Sequence, residues 1–190
     1  MLPRSRRRAL VVLSAVLVVS VAWGVVTSLS AGGPYKGRVI DAETKEPIVG
    51  AVVLVYWNRE SPLSLHNWAE SFLAAEEVLT DEKGEFVVGK SPPGSWIPGT
   101  RVSRAYITIF YPGYGSFPLY QVRPSSRLDL DQLNELLEKF AVIELPRLKT
   151  REERRKALVN PVTVPDENKP NLLQLLDLEY SRLHPGWRRR

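Results

Sequence analysis

The chain has no cysteine, two histidines and a single methionine among its 190 residues. Without cysteine there are no disulfides, no thiolate metal centres, no cysteine nucleophile and no lipidated cysteine. With only His66 and His184 present, a multi-histidine metal centre is not expected. What is plentiful points elsewhere. Fifteen prolines and twelve glycines fit strands and turns better than a helical protein. A composition 44% hydrophobic and 25% charged suits a folded core and argues against wholesale disorder.

The net charge of +5 is unevenly placed. Residues 1–34 hold four arginines and no acid. Residues 35–146 hold 11 basic and 15 acidic side chains, and residues 147–190 hold 11 basic and 6 acidic ones. The central body is therefore mildly acidic and the basicity lies at both ends. A nucleic-acid-binding body needs a positive face. None is predicted, so nucleic acid is not an expected partner.

Behind Arg4, Arg6, Arg7 and Arg8 runs an uncharged apolar stretch, Ala9–Val26. As a helix its 18 residues span about 27 Å, close to the hydrocarbon thickness of a bilayer. Arginines on its N-terminal flank stay cytoplasmic, so the remainder is exported. The sequence predicts a single-pass membrane anchor over residues 9–26, with Trp23 at its outer interface. The alternative is a signal peptide cleaved near Ser30, where Ser28, Ser30 and Ala31 supply small residues and release the body as a secreted or periplasmic protein.

From Tyr35 the pattern changes to short β-rich runs between turns. "YKGRVID" (Tyr35–Asp41) reads as a strand, as does "AVVLVYW" (Ala51–Trp57), which is apolar on both faces. A strand of an open two-layer arrangement has one polar face, so a second layer is expected over this one, and the leucine-rich C-terminal segments are the candidates to form it. "EEVLT" and "EFVVG" flank Asp81-Glu82-Lys83-Gly84, which reads as a hairpin turn with glycine at the left-handed position. The acids of that turn lack the alternating spacing of a calcium loop. Between the second strand and this turn, Leu65, Trp68 and Phe72 recur at helical spacing, predicting a helical insertion near 64–76. Further strands are expected at Ser103–Tyr111, before a Pro112-Gly113 turn, and at Ala141–Leu145.

Beyond the body, "RLDLDQLNELLEKF" carries Leu130, Leu133, Leu137 and Phe140 on one helical face, predicting a second helical insertion near 128–140 capped by Asp129 and Gln132. Thr150 and Glu153 form a second capping-box pair before "REERRK", and Pro170 opens an amphipathic helix over Asn171–Leu183. The organisation is thus a basic flank and anchor (1–33), a β-body (34–146) and a proline-interrupted, basic helical extension (147–190).

The runs "GRVIDAETKEPIVGAVVLV", "TDEKGEF" and "ITIFYPGY" together resemble the carboxypeptidase regulatory-like domain. The resemblance covers roughly Pro34 to Pro146. It implies a mainly β, transthyretin-like (prealbumin-like) sandwich of about seven strands, with the short C-terminal helices packed on or beside it. It also implies an accessory or surface module with no catalytic residues of its own. Transthyretin-related hydroxyisourate hydrolases end in Tyr-Arg-Gly-Ser, whereas this chain ends "HPGWRRR" and has no histidine in its first strand. Lys36 and Glu85 are the residues available for an isopeptide crosslink of the adhesin type, and read more simply as surface charges.

Three functional readings follow. The first is a non-enzymatic cell-envelope protein, without cofactor or metal, whose partners are the membrane and an envelope protein or cell-wall polymer. The second is a carbohydrate- or peptidoglycan-binding module in which Trp57, Trp68, Trp96, Tyr111 and Tyr114 stack on sugar rings. The third is a hydrolase using Glu76, Glu77, Asp81 and Glu85 as acid and base.

Overall fold

The computed structural model describes residues 32–62, 68–92, 99–120, 128–158, 161 and 163–185. Ala9–Val26, the cleavage region at Ser28–Ala31, His66 and Trp96 lie outside these. Among the described residues no helix is long and apolar enough to cross a membrane.

The body is mainly β, with two sheets and short C-terminal helices. β1 (Tyr35–Asp41) is the centre of the first sheet. It pairs antiparallel with β4 (Glu85–Val88) and parallel with β7 (Ala141–Leu145). Close approach is possible because residue 37 is glycine: a Cβ there would sit 2.4 Å from the Ala141 carbonyl oxygen. β2 (Val52–Pro62) organises the second sheet. It pairs on one side with β3 (Trp68–Leu79), and on the other with β6 (Tyr106–Phe110) and the two-residue β5 (Arg101–Val102).

One core joins the two sheets. Val39, Phe86, Val88, Ile143 and Leu145 of the first meet Val53, Val55, Trp57, Ile107 and Ile109 of the second. α1 (Leu130–Lys139) closes one side with Leu133 and Leu137. Its Asn134 donates to and accepts from the backbone of Ala105 (3.0 and 3.1 Å), so a side-chain amide pairs with the strand as another strand would. The capping box expected at Asp129 and Gln132 is present.

The opposite face of the second sheet is also covered. Val52, Leu54 and Phe110 form a second buried cluster with Val164, Leu172 and Leu176, which belong to the C-terminal extension. That extension contains α2 (Arg151–Lys156), a single 3-10 turn at Asp166–Asn168, and α3 (Pro170–Leu183). The second layer expected over the doubly apolar strand is therefore built by the leucine stripe. Thr150 and Glu153 cap α2 reciprocally, and Pro170 begins α3, as their spacing predicts.

Two expectations are corrected. The helical insertion near 64–76 is instead strand from Trp68 onward, because "WAESFLAAEEVL" pairs with β2 along its whole length, from Val52↔Leu79 to Pro62↔Trp68, with a bulge at Trp57/Asn58. Alanine, glutamate and leucine favour helix locally, but this long-range pairing overrides them. The segment Asp81–Gly84 is a turn with Gly84 at φ +72°, yet the strands beside it are not partners. β3 stays in the second sheet and β4 enters the first, so the corner carries the chain between sheets. Thr80 holds it inside, donating to the Ile48 carbonyl (2.6 Å) and accepting from the Ala51 amide (2.8 Å).

Candidate functional site

Among the described residues, the aromatic candidates Trp57, Tyr111 and Tyr114 do not form one surface. Trp57 is 2% exposed and lies in the core, its ring 6.3 Å from that of Tyr35. A ring so placed offers no face to a sugar. Trp68 opens β3, far along the β2–β3 ladder from the turn that carries Tyr111 and Tyr114. Those two tyrosines are half-buried, tilted against each other at 5.8 Å, and packed on the core beside the Pro112-Gly113 turn.

The carboxylate candidates separate as well. Consecutive residues of a strand face opposite sides. Glu76 accepts from the Gly89 amide at 3.0 Å. Glu77 instead accepts from the amides of Asn171 and Leu172 at 2.7 and 2.6 Å, placing its charge on the first turn of α3. Its anion satisfies amides a helix leaves open and complements the helix dipole. Asp81 Oδ1 accepts from the amides of Lys83 and Glu85 at 2.9 and 2.8 Å, which shapes the corner. Glu85 stands opposite Arg38 across β1–β4, whereas Lys36 stands opposite Val87. So Lys36 and Glu85 are not cross-strand partners.

A site that the motifs did not reveal lies where β1 and β7 end. Asp41, 2% exposed, accepts at Oδ2 from Arg147 Nε (2.5 Å) and the Tyr114 hydroxyl (3.0 Å). At Oδ1 it accepts from the amides of Glu43 (2.8 Å) and Thr44 (3.1 Å). The Arg147 guanidinium also lies over the Tyr114 ring, 5.4 Å from its centre. Beside them the exposed Lys45 reaches the buried carboxylate of Glu144 at 2.9 Å. Burial alone would raise the Asp41 pKa, but the Arg147 bond, both amides and the Tyr114 hydroxyl outweigh it and lower it to about 2. The Tyr114 hydroxyl is pushed up, first by burial and then by Asp41.

The arrangement pins three distant parts of the chain, with the carboxylate ionised and each of its oxygens accepting two hydrogen bonds. An anion so coordinated is a poor base and a poor nucleophile. It is a clamp. Its folded-state pKa lies below the unfolded value of about 3.9, so its stabilisation is complete above about pH 4 and disappears as pH falls toward 2. Asp41→Asn is expected to lower unfolding free energy by about 2 kcal/mol at neutral pH. The gap between variant and parent in urea titrations should close as pH drops from 5 toward 2; a gap that stays constant would show that the Asp41 charge is not responsible.

A cavity of about 330 Å³ opens between α2 and the C-terminal end of α3, lined by Arg151, Glu152, Arg155, Leu183 and His184. None of the described aromatic or carboxylate candidates is among these lining residues. No protein-family model, curated protein or solved structure matches the chain. Nothing in those comparisons identifies a carboxypeptidase regulatory-like domain.

Proposed function

We propose that the chain is a non-enzymatic cell-envelope module, held at or exported across the cytoplasmic membrane by Ala9–Val26, with its body on the outer side. The observation that carries this reading is the uncharged run of 18 residues behind four arginines. The body's chemistry agrees with a supporting or binding role. Asp41, Glu77, Glu144 and Glu179 each hold a partner from a distant segment of the fold, Asp81 shapes its own turn, and among the described residues these acids do not converge on a common cavity. Seven strands in two sheets around a shared core support a transthyretin-like sandwich as the finer description. In that reading the partner is an envelope protein or wall polymer.

The test is a pair of reporters fused after Arg190, one active only outside the cytoplasm and one only inside. Activity of the outer reporter alone, in the membrane fraction, is the expected result. Release of the outer-active fusion into the soluble exported fraction would mean cleavage near Ser30. Activity of the inner reporter would end the proposal.

A further inference from the structure

The cavity beside α2 has a composition that none of the readings above uses. Arg151 and Arg155 are one turn apart on α2, so both guanidinium groups stand on the same side of that helix. His184, which follows the last turn of α3, forms the facing wall and stacks on Tyr180 at 6.5 Å. The two helices are held together from below. Arg154 donates from Nε and a terminal nitrogen to both oxygens of the buried Glu179 carboxylate, at 2.6 and 2.7 Å. Arg151 donates to the Leu183 carbonyl, which orients its guanidinium at the rim. The cavity walls are thus positioned before any ligand arrives.

Among the described residues the lining carries two guanidinium charges against one carboxylate. That carboxylate, Glu152, is engaged by Arg155 at 3.0 Å and by Lys156 at 3.3 Å, and all three side chains are more than half exposed. Exposed pairs of this kind are weak and readily exchanged, so an incoming anion can take Arg155 from Glu152 while Lys156 keeps the carboxylate partnered. Each guanidinium has five N–H groups, and the named bonds leave several open. A carboxylate ligand is saturated by one such fork. A phosphate has oxygens enough for two forks approaching from different sides. The volume, near the lower end for ligand pockets, suits a phosphate ester with a small attached group.

We infer that the Arg151–Arg155–His184 cavity binds a phosphate ester. The chemistry is shared by a soluble or polymer-borne glycerol phosphate and by the headgroup of an anionic phospholipid. It depends on side chains of the C-terminal extension and so stands apart from the membrane topology proposed above.

The test uses the detergent-solubilised full chain, titrated calorimetrically with glycerol phosphate and, in a separate arm, with short-chain phosphatidylglycerol in mixed micelles. Saturable binding in the first arm marks a soluble or polymer-borne source, and binding in the second arm only marks the lipid headgroup. Either supports the inference when Arg155→Gln weakens it roughly tenfold, the loss expected for one charge-assisted hydrogen-bonded group. Arg155→Lys, which keeps the charge and loses the fork, should recover only part of the affinity. Arg38→Gln, on the outer face of β1, should change nothing. Absence of saturation in both arms, equal binding of acetate, full affinity in Arg155→Lys, or an equal loss in Arg38→Gln would each overturn the assignment.

Discussion

Arg154→Ala is expected to lower the unfolding free energy by about 3 kcal/mol, because it leaves a carboxylate unpaired in a dry place. Glu179 is 1% exposed and receives both nitrogens of the Arg154 fork; the arginine itself is partly open to solvent, which keeps the figure at the lower end of the range for buried pairs. In a chain of this size such a loss corresponds to roughly 6–12 °C in Tm. The Arg154 pKa is raised, chiefly by its bond to Glu179, so the guanidinium stays charged. The double variant Arg154→Met, Glu179→Met separates the cost of the orphaned charge from the worth of the pair. It should recover most of the stability, since a packed apolar pair replaces a buried ionic one at little cost. Denaturant unfolding of the three proteins is the measurement. A double variant as unstable as Arg154→Ala would show that lost packing, not the stranded carboxylate, is the cause.

Phe110→Ala is expected to be more damaging, about 3–5 kcal/mol, the range for removing a buried aromatic ring. Phe110 is 1% exposed and stands at the end of β6, opposite Val52. Its ring belongs to the cluster that joins the second sheet to Val164, Leu172 and Leu176. Removing it opens a cavity between the β-body and the C-terminal extension, leaving the core between the two sheets intact. Protease sensitivity should therefore rise first at the extension, around Arg151–Lys156, before the body yields. Mass spectrometry of the first cleavage products reads this out. Equal early cleavage in both regions would mean that the extension and the body unfold as one unit.

The elements legible from the sequence are those with local signals. β1 runs from Tyr35 to Asp41, the bounds that its run of residues predicts. The Asp129–Gln132 and Thr150–Glu153 boxes are read within four residues of chain, and both are formed. Even the second layer over β2 was implied locally, since Val52 and Leu54 together with Val53 and Val55 leave that strand no face for water.

The misread elements depend on partners far away in the chain. Within "WAESFLAAEEVL" only the closing "EEVL" reads locally as strand; the rest becomes one because β2 presents a matching row of amides and carbonyls. The turn at Gly84 was visible, but its exit into a different sheet was not, because only β1 determines where β4 pairs. Trp57 looked available as a stacking ring and is buried, since burial belongs to the packed pair of sheets and not to the residue.

Local chemistry therefore wrote the strands, caps and turns, together with the apolar run at 9–26 and the charge asymmetry between the ends and the middle. Those properties act over a few residues, through backbone preference and side-chain spacing. Folding in three dimensions decided what each acid is for. Asp41 meets Arg147 across 106 positions, Glu77 meets Asn171 across 94, and Arg154 meets Glu179 across 25. An ion pair has no sequence periodicity, so its partner is chosen by where the packed sheets and helices bring two charges together.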